Sequence, residues 1–201
     1  MLDAAARRQI DPVLDRWGRA LARRGVQADA VTLAGLTLGL LAALLIGLGH
    51  PGAALLPLLA SRLADGLDGA IARASQSTDF GGYFDITADF LFYGAIPLAF
   101  VLADPAAHGA AGAFLIASFY FNGASFLGFA VLAAKRGMDT KARGTKSFYH
   151  AGGLLEGTET ILFFVALCLF PGAFSPLAWG FGALCFLSGA LRIGQARDLF
   201  Q

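Results

Sequence analysis

The stretch DGLDGAIARASQSTDFGGYFDITAD, Asp65 to Asp89, sets four aspartates, Asp65, Asp68, Asp85 and Asp89, into two segments otherwise apolar enough to cross a membrane. Each aspartate at the centre of a membrane helix costs about 2.5–3.5 kcal/mol on an insertion scale, so four together stand for roughly 10–14 kcal/mol unless water, a cation or a partner offsets it. Such a concentration of acid marks a site rather than scaffolding. Asp65 and Asp68 are three residues apart and Asp85 and Asp89 four apart, so each pair occupies one face of a helix. Two antiparallel helices joined by a short loop can bring the pairs together.

Outward from this stretch, apolar runs cover 30 to 48, 53 to 72, 82 to 103, 109 to 133, 148 to 170 and 175 to 193. Each is close to the ~20 residues needed to span hydrocarbon. The expectation is an all-α integral membrane protein, a six-transmembrane-helix bundle over residues 29–201. Residues 1–28 should form a cytoplasmic amphipathic juxtamembrane helix, because Ile10, Val13, Leu14, Trp17 and Leu21 share one stripe and Arg8, Arg16, Arg19 and Arg23 lie off it. Asp11-Pro12 reads as the start of that helix, with Asp as cap and Pro at the first position.

Composition agrees, with 57% hydrophobic and 14% charged residues and a mean hydropathy of +0.65. A net charge of +1 creates no basic field for nucleic acid. The 15 basic residues are unevenly placed: the connectors at 49–51, 104–108 and 171–176 hold none, whereas Lys135, Arg136, Lys141, Arg143 and Lys146 crowd one loop. The positive-inside rule then puts both termini and that loop in the cytoplasm. Asp68 lies about 8 Å inside the cytoplasmic end marked by Arg73, at 1.5 Å per residue. Cys168 and Cys185 fall within apolar runs and read as core rather than as a disulfide or zinc site. The first long apolar run begins only near Val31, which argues against a cleaved signal peptide. His50 and His108 are expected in outer loops facing solvent.

Four converging carboxylates raise one another's proton affinity and call for a cation. Oxygen-only ligation favours a hard ion, Mg²⁺, Mn²⁺ or Ca²⁺, and two sites sharing ligands suit phosphoryl transfer. A purely structural ion-pair network with Arg62 and Arg73 is the competing reading. Gly66, Gly69, Ala70 and Ala72 strip bulk from the helix beside Asp68, and Gly81-Gly82 does the same beside the second pair. Arg73 presents a planar fork suited to phosphate oxygens.

These residues carry a resemblance. Asp65-Gly-Leu-Asp68-Gly69-Ala-Ile-Ala72-Arg73, followed by Gly81, Asp85 and Asp89 at four-residue steps, resembles the signature of the CDP-alcohol phosphotransferases, and the six-span layout fits that family over nearly the whole chain. The resemblance implies a membrane enzyme of the EC 2.7.8 class. It transfers a phosphatidyl group from CDP-diacylglycerol to an alcohol and releases CMP, in phospholipid synthesis. It further implies that Asp65, Asp68, Asp85 and Asp89 hold two divalent ions, Mg²⁺ or Mn²⁺, with Asp89 also the general base on the acceptor hydroxyl. Thr32, Gly69, Ala72, Arg73 and Gly81 would contact the CDP donor. Two departures stand out: seven residues separate Arg73 from Gly81 where eight are common, and Asp29 stands where the family has Asn.

The acceptor is the open question. Lys135, Arg136, Arg143 and Lys146 suit the phosphate of glycerol phosphate or inositol phosphate, although a positive-inside loop has the same composition. Glu156 and Glu159 suit hydroxyl or amine recognition, as in serine or another polar alcohol, or pairing with the basic loop. Asn122 and Ser125 read as interhelical glue. Gly35–Gly39 and Gly152-Gly153 read as close helix packing, with a homodimer face as the alternative. A divalent-cation channel or transporter is the rival from another class; the acids gather at one face rather than forming a ring, which argues against it. An inactive lipid-binding homologue is disfavoured because all four aspartates are present.

Overall fold

The computed structural model describes residues 3–138, 155 and 157–200, with side chains from residue 8 onward, and these are helical almost throughout. The order is α1 (Asp3–Ala22), α2 (Ala28–Gly47), α3 (Pro51–Ala74), α4 (Asp79–Ala103), α5 (Pro105–Lys135), α6 (Gly157–Leu169), a 3₁₀ turn at Pro171–Ala173 and α7 (Phe174–Phe200). Helices occupy five of the expected apolar runs, and of the run at 148 to 170 the described residues 157–169 are helical. Four stretches are long and apolar enough to cross a membrane: Ala28–Gly47, Asp79–Ala103, Pro105–Lys135 and Pro171–Phe200. Helix α3 carries too many charges to read as a plain span, and the 13 described residues of α6 are too short.

Local chemistry sets the boundaries. The chain leaves α1 and α2 through Gly25 (φ 78°) and Gly49 (φ 82°), left-handed positions that only glycine adopts without strain. Pro51 and Pro105 open α3 and α5, where no backbone N–H is needed. Thr78 Oγ1 accepts from the Gly81 amide at 3.0 Å, and Asp104 Oδ1 accepts from the Ala107 amide at 2.9 Å. Both caps satisfy donors that the first helical turn leaves free.

Helix α3 packs on α2, α1 and α6; α4 packs on α2 and α5; α5 packs along α7. Ile46, Leu58, Phe92, Ile96, Phe164 and Phe174 are buried where these helices meet. Small residues permit the contact between α2 and its neighbours. A Cβ on Gly35 would lie 3.1 Å from Ala64 Cβ, and one on Gly39 would lie 2.6 Å from Phe92 Cδ2 and 3.0 Å from Ser61 Oγ. The Gly35–Gly39 pair is thus consumed by packing within the chain, while Gly152-Gly153 lies outside the described residues. Gly39→Ala is expected to lower stability by about 1–3 kcal/mol through overpacking, since the fully buried Phe92 ring has nowhere to retreat. Thermal unfolding in detergent checks this, and an unchanged midpoint would count against so tight a contact.

Helix α1 lies against α3. Leu14 is buried over Gly66, and Gly18 meets the Ala70 backbone so closely that a Cβ would sit 2.7 Å from it. Ile10, Val13 and Trp17 face away and are exposed, so the apolar stripe divides between the protein and its surroundings. The helix begins at Asp3 rather than at Asp11-Pro12, with Pro12 inside it. The proline forfeits one intrahelical bond, to the carbonyl of Arg8. Arg8 and Pro12 are both exposed, so water can take that carbonyl.

His108 also departs from expectation. It sits in the first turn of α5, half-buried, with Nδ1 3.0 Å from Ser175 Oγ and its ring 4.8 Å from that of Phe174. His50 is exposed, as expected. The stacking of α5 on α7 draws the imidazole inward, a tertiary contact that loop composition does not reveal.

Candidate active site

Asp65 and Asp68 come from the last turns of α3, Asp85 and Asp89 from the first turns of α4, and the three residues Ser75 to Gln76 to Ser77 begin the turn that joins them. Asp65, Asp68 and Asp89 line one pocket together with Thr32, Gly35, Leu36, Arg62 and Ala88. Asp85 lies one turn before Asp89 on the same helix face. Thr32, on α2, donates from Oγ1 to Asp68 Oδ2 at 2.5 Å, in a buried contact. That bond holds Asp68 in one rotamer at the floor of the pocket.

The charge in the pocket is offset in part from inside. Arg62 Nη1 donates to Asp89 Oδ1 at 2.8 Å and lies 3.5 Å from Asp65 Oδ1. Of the two arginines considered for a structural network, Arg62 alone joins the acids; Arg73 instead pairs with Asp15 of α1 at 2.9 Å. The oxygen-only donor set on two facing helices fits a hard divalent ion. Among the described residues no three acidic, histidine or cysteine side chains close on a common point by themselves; the Arg62 guanidinium stands among the carboxylates.

A family model for CDP-alcohol phosphatidyltransferases matches residues 26–189, which include this whole constellation. The chain belongs to that family. It is accordingly a phosphotransferase of phospholipid synthesis. It is 48% identical over 193 residues to the inner membrane protein YnjF of Escherichia coli strain K12, covering 96% of this chain and 94% of that protein. Its fold is similar to that of the phosphatidylinositol phosphate synthase PgsA1 of Mycobacterium tuberculosis. The PgsA1 structure with manganese and citrate aligns with a TM-score of 0.66 at 22% identity, over 92% of this chain and 88% of that one. The structure with CDP-DAG bound aligns with a TM-score of 0.57 at 23% identity, over 93% and 91%.

Of the residues expected to contact the donor, Thr32 lines the pocket, and Gly69, Ala72, Arg73 and Gly81 do not. A Cβ on Gly69 would meet Arg73 Nη1 at 3.3 Å, so the glycine leaves the Arg73 side chain room to fold back along α3. Ala72 is half-buried next to it. Gly81 faces Asp29: a Cβ there would lie 3.0 Å from Asp29 Oδ1. Asp29 is therefore packed against the start of α4.

Of the residues expected at the acceptor, Lys135, Arg136 and Glu159 are among the described residues. Lys135 ends α5, and Arg136, just after it, donates to the Phe200 carbonyl and lies 5.4 Å from the Phe200 ring. Glu159 is half-buried in the first turn of α6. Lys141, Arg143, Lys146 and Glu156 lie outside the described residues. The structure adds one polar group that the sequence reading did not single out. Arg192 of α7 is buried and donates to Asn122 Oδ1 at 2.9 Å, to the Asn122 carbonyl at 3.0 Å and to Ser125 Oγ at 2.6 Å. Asn122 and Ser125 are thus interhelical partners between α5 and α7. An arginine inside an apolar run was the available signal for it.

Proposed function

We propose that this chain transfers a phosphatidyl group from CDP-diacylglycerol to an alcohol, releasing CMP, at a two-metal site formed by Asp65, Asp68, Asp85 and Asp89. The observation that carries this reading is the meeting of Asp65, Asp68 and Asp89 around one pocket shared with Thr32. The PgsA1 structures with CDP-DAG and with manganese support the donor and the cation by similarity of fold. When bound, divalent ions supply charge neutralisation on the pyrophosphate and on the departing CMP.

The chain's own residues then have distinct tasks. Asp89 takes the proton of the acceptor hydroxyl; the oxygen attacks the lipid-bearing phosphorus, a new P–O bond forms, and the bridging P–O bond to CMP breaks. Thr32 orients Asp68. Arg73, with Gly69 and Ala72 leaving space along its helix, binds donor phosphate, and Gly81 allows close approach. Lys135, Arg136, Arg143 and Lys146, with Glu156 and Glu159, face the choice of alcohol.

In this reading all six apolar helices span a bacterial inner membrane, with residues 1–28 lying on the cytoplasmic surface and residues 29–201 forming the catalytic domain. Both termini and the site are cytoplasmic, as the basic loop requires. The exposed Ile10, Val13 and Trp17 of α1 support burial at the lipid interface. A homodimer remains compatible with the exposed apolar faces of the spans.

The test is CMP release from CDP-diacylglycerol by the reconstituted protein with Mg²⁺ or Mn²⁺, across glycerol phosphate, inositol phosphate, inositol, serine, choline, ethanolamine and phosphatidylglycerol. One acceptor is expected to stand well above the others. Uptake of Mg²⁺ or Mn²⁺ into vesicles without CMP release would instead favour a channel or transporter.

A further inference from the structure

Arg62 sits one turn before Asp65 on α3, and its side chain is only 8% exposed. Its surroundings are built for a guanidinium. Nη1 reaches Asp89 and Asp65, and Nη2 donates to Ser61 Oγ at 3.2 Å. The guanidinium carbon lies 3.9 Å from the centroid of the buried Phe92 ring and 5.9 Å from that of Tyr93, an arrangement in which the ring faces attract the cation. Gly39 of α2 clears the space that Phe92 and Ser61 occupy. Helices α2, α3 and α4 therefore all contribute to seating one positive charge.

That charge is permanent, since a guanidinium does not lose its proton in a protein. Yet its hold is incomplete. The contact with Asp65 is longer than that with Asp89, and the buried Nε has no hydrogen-bond partner. A cation seated on aromatic rings from behind, close to Asp89 and farther from Asp65 in front, competes with any other cation for those carboxylates.

We propose that Arg62 is a resident counter-cation of the acid cluster: it offsets Asp65 and Asp89, and a divalent ion loads by displacing its guanidinium from these two carboxylates. This rests on the metal-binding reading above and adds a positioning residue to it. Two consequences follow from Coulomb's law. The four acids are kept from repelling one another apart before loading, and the affinity for metal is held down by a fixed like charge.

The experiment measures Mn²⁺ binding to the purified full chain in detergent, by the electron paramagnetic resonance signal of free Mn²⁺, without donor or acceptor. Arg62→Gln is expected to bind Mn²⁺ about tenfold more tightly, because the competing charge is gone. Arg62→Lys keeps the charge but not the planar fork, and is expected to bind about threefold more tightly than the native protein. A purely structural ion pair predicts the opposite: its loss loosens the pocket, and Mn²⁺ affinity stays equal or falls. Equal or weaker binding by folded Arg62→Gln overturns the proposal, and where that variant does not purify folded, Arg62→Lys decides by the same criterion. A native protein that takes up no Mn²⁺ overturns the metal reading together with this one; native binding without tightening in the variants overturns only the role of Arg62.

Discussion

Asp89→Asn is expected to lower CMP release by about 10²–10⁴-fold, the range spanned by general acid–base catalysis, while CDP-diacylglycerol still binds in the presence of metal. The amide is nearly isosteric with the carboxylate but cannot accept the acceptor's proton. It also removes the charge that Arg62 approaches at 2.8 Å, so a buried guanidinium is left with Asp65 alone, a costly state for an ion out of water. Turnover and donor binding should therefore separate. Measuring both on the same preparation distinguishes lost chemistry from lost folding, and near-normal turnover removes Asp89 as the base.

Stripping divalent ions with a chelator should produce an effect of similar or greater size. The carboxylates of α3 and α4 carry no intrinsic means of neutralising a pyrophosphate; without a cation they repel it. Arg62 supplies a single positive charge against four negative ones. Activity is expected to fall to background on chelation and to return with Mn²⁺ or Mg²⁺, while Ca²⁺, larger and more loosely coordinating, restores less. CMP release in chelator at rates close to those with metal would falsify the metal reading. The assay also ranks the two ions, which oxygen ligation alone does not do.

How much of this was legible beforehand depends on whether a feature is local. The aspartates announced themselves because their cost in an apolar segment is high and their three- and four-residue spacing is a helix spacing. Helix positions followed from apolar runs, and the glycines of α2 from the need for close backbone approach. The entry of α1 misled, because Asp11-Pro12 has every mark of a helix start; only the solvent exposure of that face allows the helix to run through it. His108 misled for the reverse reason, since what buries it is α7, some 65 residues further along the chain.

The arginines show the same division. Arg62 and Arg73 look alike in sequence, the first three residues before Asp65 and the second five residues after Asp68 on α3. In the fold Arg62 turns inward to Asp89 over the Phe92 ring, and Arg73 turns outward to Asp15 of α1. Arg192 passed unremarked because its partners, Asn122 and Ser125, lie on another helix.

By itself, then, the sequence determined the family, the helical class and the identity of the acids, because each is written in spacing along one chain segment. Tertiary structure alone decided which cation answers them. Whether a guanidinium reaches a carboxylate depends on how α2, α3 and α4 pack, and Gly39, Ser61 and Phe92 set that from three different helices.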